Sequence, residues 1–309
     1  MNKHIFNYEM KLVLTNYSCV FFGLVFPLLM GALVVMMLNV QVPEPFREPA
    51  KQSVLFTMNI ISPLSIFLVG HATITAKDME EGVYDRLELF SIKQFTLARY
   101  KFLAYFLFFL VCNLIYFTVM VWVFDIPASV IEILRHLGYV TLLNIGCFFI
   151  AYAICLFTKK YSISFAITMA IYFAIMIFSG MMGIRVEDMP EGLQKIVSIL
   201  PTSHFSSYDY LKEIQTGTIN ASFLIGLLVL VGLSMALMAI AIFKQRRKNA
   251  YLQGFTRLAL PIGLGGLGRG QRRLFAFDPL LRIRKNYLTH LRNKRIIKGV
   301  DYHIHYICL

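Results

Sequence analysis

The chain has 309 residues, of which 58% are hydrophobic and only 15% charged. Ordinary soluble domains are about 45–50% apolar and about 25% charged, so these proportions exclude one, and they exclude a disordered chain equally. The net charge of +13 is uneven: residues 1–248 hold 19 Lys/Arg against 15 Asp/Glu, and residues 249–309 hold 11 against 2.

Residues 3–17 come first. Phe6, Met10, Val13 and Tyr17 recur at helical spacing, with Lys3, Asn7 and Lys11 on another face. That pattern predicts an interfacial amphipathic helix. A cleavable signal is not expected. The apolar run from Cys19 to Leu38 is longer than the 7–15 residues of such a segment, and no A-x-A site follows.

Six apolar stretches are long enough to cross a bilayer, near 18–38, 53–75, 100–124, 136–157, 161–183 and 222–243. Each is continuously apolar, without the period-two alternation of a barrel strand, so each is expected to be a helix. Pro27 and Pro63 are expected to kink spans 1 and 2. The fold class is therefore all-α: a polytopic membrane protein with six transmembrane helices and an N-terminal interfacial helix. Loop cations orient it. Thirteen fall on one side (Lys3, Lys11, Lys77, Arg86, Lys93, Arg99, Lys101, Lys159, Lys160, Lys244, Arg246, Arg247 and Lys248) and six on the other (Arg47, Lys51, Arg135, Arg185, Lys195 and Lys212). Both termini are expected on the cytoplasmic side of a cell membrane.

The loop 76–99 concentrates charge on the positive side. Val83, Leu87 and Phe90 share one helical face, and Glu81, Asp85 and Glu88 another. A short helix of that kind suits docking on a soluble partner, a solvated connector being the plain alternative. Between spans 5 and 6, Asp188-Met189-Pro190-Glu191 reads as a helix start. Leu193, Ile196, Val197 and Leu200 then form an apolar face that Pro201 ends. This helix is too short to span and is expected at the outer surface.

Residues 249–309 form a basic tail, expected to be loosely structured and to lie against anionic headgroups rather than nucleic acid. Non-native coding sequence is a second reading of part of it. Gly263, Gly265 and Gly268 fit G-x-G-x-x-G without the strand and helix that motif needs. His303, His305 and Cys308 lack a fourth metal ligand.

The spans carry almost no ionisable side chains, which argues against a proton-coupled carrier or a voltage-gated channel. No G-x-x-x-x-G-K-[ST] occurs, so any energy must come from a partner. Cys19, Cys112, Cys147 and Cys155 sit in or at the edge of apolar runs with no C-x-x-C pair, and read as small buried hydrophobes. Ser203, His204, Ser206, Ser207 and Asp209 put hydrolase-type residues close together on the outer side. They leave a membrane-embedded hydrolase as one alternative, and a non-transporting scaffold or immunity protein as another.

The order of elements resembles the permease subunit of ABC-2-type transporters. Glu81-Gly82 followed by Asp85-Arg86-Leu87, Ile92 and Lys101 carries part of the likeness. Ser179-Gly180, Met189-Pro190, Leu193-Gln194, Ile196 and Leu200-Pro201 carry the rest, over about residues 3–248. The resemblance implies a permease domain over 1–248 that works as a homodimer or heterodimer in the lipid bilayer with two cytoplasmic ATPase subunits. ATP would be bound by those partners, with no cofactor in this chain. Glu80, Glu81, Gly82, Asp85, Arg86 and Leu87 would form the ATPase-coupling loop. Met189, Pro190, Leu193, Ile196, Leu200 and Pro201 would form the outer gate helix. The pathway would be lined by spans 1, 2 and 5.

Overall fold

A computed structural model describes residues 3–89, 92, 94–181, 190–197 and 200–259. They are helical, with no strand among them. Six helices are long and apolar enough to cross a membrane: Tyr17–Gln41, Glu44–Glu80, Gln94–Trp122, Val130–Thr158, Tyr161–Phe178 and Ala221–Gln245, here spans 1 to 6. Lys3–Thr15 precedes span 1 and Val83–Leu89 separates spans 2 and 3. Glu191–Val197, Pro201–His204 and Tyr208–Thr216 lie between spans 5 and 6. The polytopic all-α class expected from the sequence is the one observed.

The chain divides into a unit Glu9–Phe243, which holds the bundle, and a second unit of Met1–Tyr8 with Lys244–Leu309. The helix Ala221–Ala259 carries span 6 at its start. Residues 260–309, with Gly263, Gly265, Gly268, His303, His305 and Cys308, lie outside the described residues.

Three span starts need correction. Span 2 begins at Glu44 rather than 53, span 3 at Gln94 rather than 100 and span 4 at Val130 rather than 136. Apolarity marks where a helix enters hydrocarbon, whereas the helix itself starts where the backbone is capped. At span 2 a glutamate and a proline occupy the first turn, and both favour a helix start. Lys51 then reaches Glu48 at 3.4 Å within the helix. Span 4 opens on a capping box. Ser129 Oγ accepts from the Glu132 amide at 3.2 Å, and Glu132 Oε2 accepts from the Ser129 amide at 3.0 Å.

Span 2 is the axis of the unit. In its most apolar stretch 89% of residues are buried, against 28%, 22% and 17% in spans 1, 5 and 6. Both expected kink sites sit beside π-helical turns, Phe21–Val25 ahead of Pro27 and Leu64–Gly70 after Pro63. Pro27 has no N–H to give the turn before it. The Phe22 and Gly23 carbonyls there accept instead from Ser65 and Ser62 hydroxyls at 2.7 and 2.6 Å. Neighbouring hydroxyls thus satisfy what the proline leaves open, which hydrocarbon demands. The helices approach closely at this point. A Cβ on Gly23 would lie 2.6 Å from Ile66 Cγ1, so a larger residue there would force spans 1 and 2 apart.

Candidate functional site

The six predicted coupling residues are brought together at one end of the bundle. Span 2 ends at Glu80, the chain turns through Glu81 and Gly82, and the loop helix runs Val83–Leu89. Gly82 has φ +69°, a conformation that costs glycine nothing and other residues strain. Glu81, Asp85 and Arg86 are exposed, and Leu87 is half-buried. Arg86 Nη2 donates to the Glu81 carbonyl at 3.1 Å, bracing the turn. The buried anchor of this helix is Tyr84, which the sequence reading did not select. Burial pushes its hydroxyl well above the usual phenol range. Glu80 leaves the loop sideways. Its Oε2 accepts from the Tyr161 amide at 2.7 Å, capping the first turn of span 5.

Beneath this surface lies a charge cluster that sequence reasoning missed. Lys101 is fully buried, with Nζ 2.6 Å from Asp78 Oδ2 and 3.2 Å from Glu9 Oε2. The sequence reading counts Lys101 among the cytoplasmic-side cations at the start of span 3 and places Asp78 in the charged loop 76–99; the structure buries both, with Asp78 inside the helix of span 2. Glu9 is also fully buried, on the helix face of Val13 one turn on. That i, i+4 match was the available signal. Two carboxylates face one ammonium here. Burial pushes the Glu9 carboxyl up to about 7, against the pull of Lys101. Asn16 ties the same helix junction to span 2, donating to the Gly70 carbonyl and Thr73 Oγ1 at 3.4 Å each. His71, one span residue away, packs between rings: Phe148 at 4.2 Å and Tyr105 at 5.4 Å between centroids.

The opposite end holds a neutral polar chain. Asn113 Nδ2 donates to the Phe109 carbonyl at 2.8 Å, which leaves its Oδ1 to accept from Asn59 Nδ2 at 2.9 Å. Asn59 Oδ1 then faces His136 Nε2 at 3.0 Å, so that nitrogen carries the proton. His136 Nδ1 in turn accepts from the Tyr210 hydroxyl at 2.7 Å. Spans 2, 3 and 4 are thereby joined to the helix Tyr208–Thr216. Ser207 caps that helix, and Arg135 donates to its terminal carbonyls of Ile214 and Gln215 at 2.7 and 3.1 Å. The apolar pattern had not predicted this helix, because it is short and mostly polar.

The predicted outer gate residues are only partly described. Pro190 is exposed just before the helix Glu191–Val197, in which Leu193 and Ile196 lie. Met189 lies outside the described residues. Leu200 and Pro201 are half-buried, and Pro201 starts the next helix as well as following the last. Val197 supplies the buried anchor.

The Ser/His/Asp residues do not form a nucleophile–base pair in this structure. Ser203, Ser206 and Ser207 donate their hydroxyls to backbone carbonyls, those of Leu200, Ser179 and His204 among them. His204 pairs with Glu213 at 3.0 Å, and Asp209 is exposed. A nucleophile needs its base as hydrogen-bond partner, and none of these serines has that arrangement. Among the described residues no group of His, Cys, Asp and Glu is placed to hold a metal ion.

Residues 39–243 match the model of a family described as ABC-2 family transporter protein. No curated protein matches the chain.

Proposed function

Because that match covers well over half of the chain, the protein belongs to the ABC-2 transporter family, as a multi-pass membrane permease of an ABC transporter, and we propose that it is the pathway-forming subunit of an ATP-driven exporter powered by a separate ATPase. Both termini and the loop 81–93 face the cytoplasm in this reading, and two permease chains bind two ATPase subunits. The tail 249–309 lies along the anionic inner leaflet, where each cation contributes about 1 kcal/mol.

One observation supports the docking role most directly. Exposed Asp85 and Arg86 stand on a short helix anchored by buried Tyr84, and exposed Glu81 lies in the turn just before it. Charges presented on a fixed base can be gripped without the base collapsing. A partner that closes on ATP would bias the bundle between two arrangements. Glu80, Gly82 and Leu87 hold the shape of the turn, while the helix carrying Leu193 and Ile196, with Met189, Pro190, Leu200 and Pro201 at its ends, borders the outer exit.

The test is purification of the chain from its own membrane in lipid nanodiscs. An ATPase with a Walker A lysine should accompany it, and Glu81→Lys with Arg86→Glu should release that subunit while leaving the permease folded. The chain alone should hydrolyse no ATP. Retention of the ATPase by the charge-reversed variant ends the docking assignment.

A further inference from the structure

The described helices differ in how far their neighbours enclose them. Span 2 is almost wholly buried, while in span 5 only 22% of the most apolar stretch is buried; span 5 packs on spans 2 and 4, and its hydrogen bonds to other segments lie near its two ends. At the N-terminus the preceding residue, Lys160, gives no side-chain cap. The cap comes from Glu80, far away in sequence, through the 2.7 Å bond from the Tyr161 amide. A carboxylate at this position also meets the positive end of the helix dipole. Just past the C-terminus, Ser179 Oγ donates to Thr202 Oγ1 at 2.6 Å, and Ser179's carbonyl accepts from Ser206 Oγ at 2.5 Å. Thr202 and Ser179 are buried. Span 5 has 18 residues, which at 1.5 Å each gives a rod of about 27 Å. One of its ends is held by the last residue of span 2 and the other by the segment before span 6.

Behind Glu80 the mounting is stiff. Asp78, two residues earlier, is held by Lys101 at 2.6 Å, and Lys101 by Glu9 as well. The segment that leads into the loop helix therefore has little room to yield at its base, and displacement of the loop passes to what Glu80 touches.

We propose that span 5 is the connecting rod of this permease, with Glu80 a positioning residue that passes movement of the cytoplasmic loop to the rod's inner end, and Ser179 the contact that delivers it to Thr202 and the outer segment. This rests on the reading of the loop as an ATPase dock. A rod of this kind needs no charge within the membrane, in keeping with the composition of span 5. It places the input and the response on opposite faces of the bilayer.

Two reporters separate this proposal from the reading beneath it. Lys77→Cys marks the inner segment and Lys212→Cys the outer segment, both at exposed positions, in a Cys308→Ser background. The four other cysteines are buried. Each is labelled with a membrane-impermeant maleimide in native-membrane vesicles of the matching sidedness, with and without trapping by ATP and vanadate. Trapping should change the labelling rate of both reporters. With Glu80→Ala the inner reporter should still respond and the outer one should not. Glu80→Gln, which keeps an accepting oxygen, should restore the outer response. Thr202→Val with Ser206→Ala should also silence the outer reporter. In Glu80→Ala the Tyr161 amide should exchange hydrogen about tenfold faster, as loss of a charge-assisted bond implies. An outer reporter that responds equally in Glu80→Ala overturns the rod while leaving the dock intact. An inner reporter blind to trapping in the otherwise unaltered chain overturns the dock, and the rod with it.

Discussion

At the residue scale the most consequential group is Glu9. It shares one buried cation with Asp78, so part of its charge is uncompensated, and the rings of Tyr84, Tyr105 and Tyr152 also belong to its titratable surroundings. An ordinary glutamate titrates near 4.5, and this one near 7 in the fold. Between those values the folded protein binds a proton that the unfolded chain does not. Stability therefore falls as pH rises through that window and levels off above it. Thermal unfolding in nanodiscs should show this decline between about pH 5 and pH 7, and Glu9→Gln should flatten it; an unchanged profile in that variant assigns the decline elsewhere. Lys101→Met alone strands two buried carboxylates and should cost about 3–5 kcal/mol. Combined with Glu9→Gln and Asp78→Asn, the same substitution should recover most of that loss, because a neutral cluster of similar volume has no unpaired charge to bury.

At the scale of elements, the contacts between helices are made where small or hydroxyl residues let backbones meet. Gly23→Leu should cost about 1–3 kcal/mol through collision with Ile66, and Ile66→Ala in the same chain should return part of it. Additive losses in the double variant would show that the two residues do not meet. At the other end, Tyr210→Phe leaves His136 Nδ1 buried without a donor and should cost about 1–3 kcal/mol. The loss should appear as faster proteolysis or hydrogen exchange in 201–216, with the loop helix unaffected. Equal loosening at both ends would point to global destabilisation instead. These two clusters, one charged and one neutral, tie spans 2 and 3 together at two levels.

At the scale of the whole molecule, burial is concentrated in one helix. The central residues of span 2, from Leu55 to Ala76, are almost all enclosed within the chain. Spans 1, 5 and 6 present the broad apolar faces, open to lipid or to a second chain. The class of molecule, the number of spans and the position of the charged loop were all legible in the sequence. Each follows from the cost of placing backbone or charge in hydrocarbon, and that cost is paid residue by residue along the chain. The charged run over 80–87 was legible for the same reason, standing as a dense polar stretch between apolar ones. The partner of Lys101, the cap that Glu80 supplies to span 5 and the route from Tyr210 to Asn113 were not legible. In each, the groups lie on different helices, and a one-dimensional pattern records only a residue's own polarity. Whether a charge is solvated or locked against another is decided when the helices close around it. The amino-acid order therefore determined that this chain crosses a membrane and where its charged loop falls, and the packing of span 2 among its neighbours decided which charges stay exposed and which are locked inside.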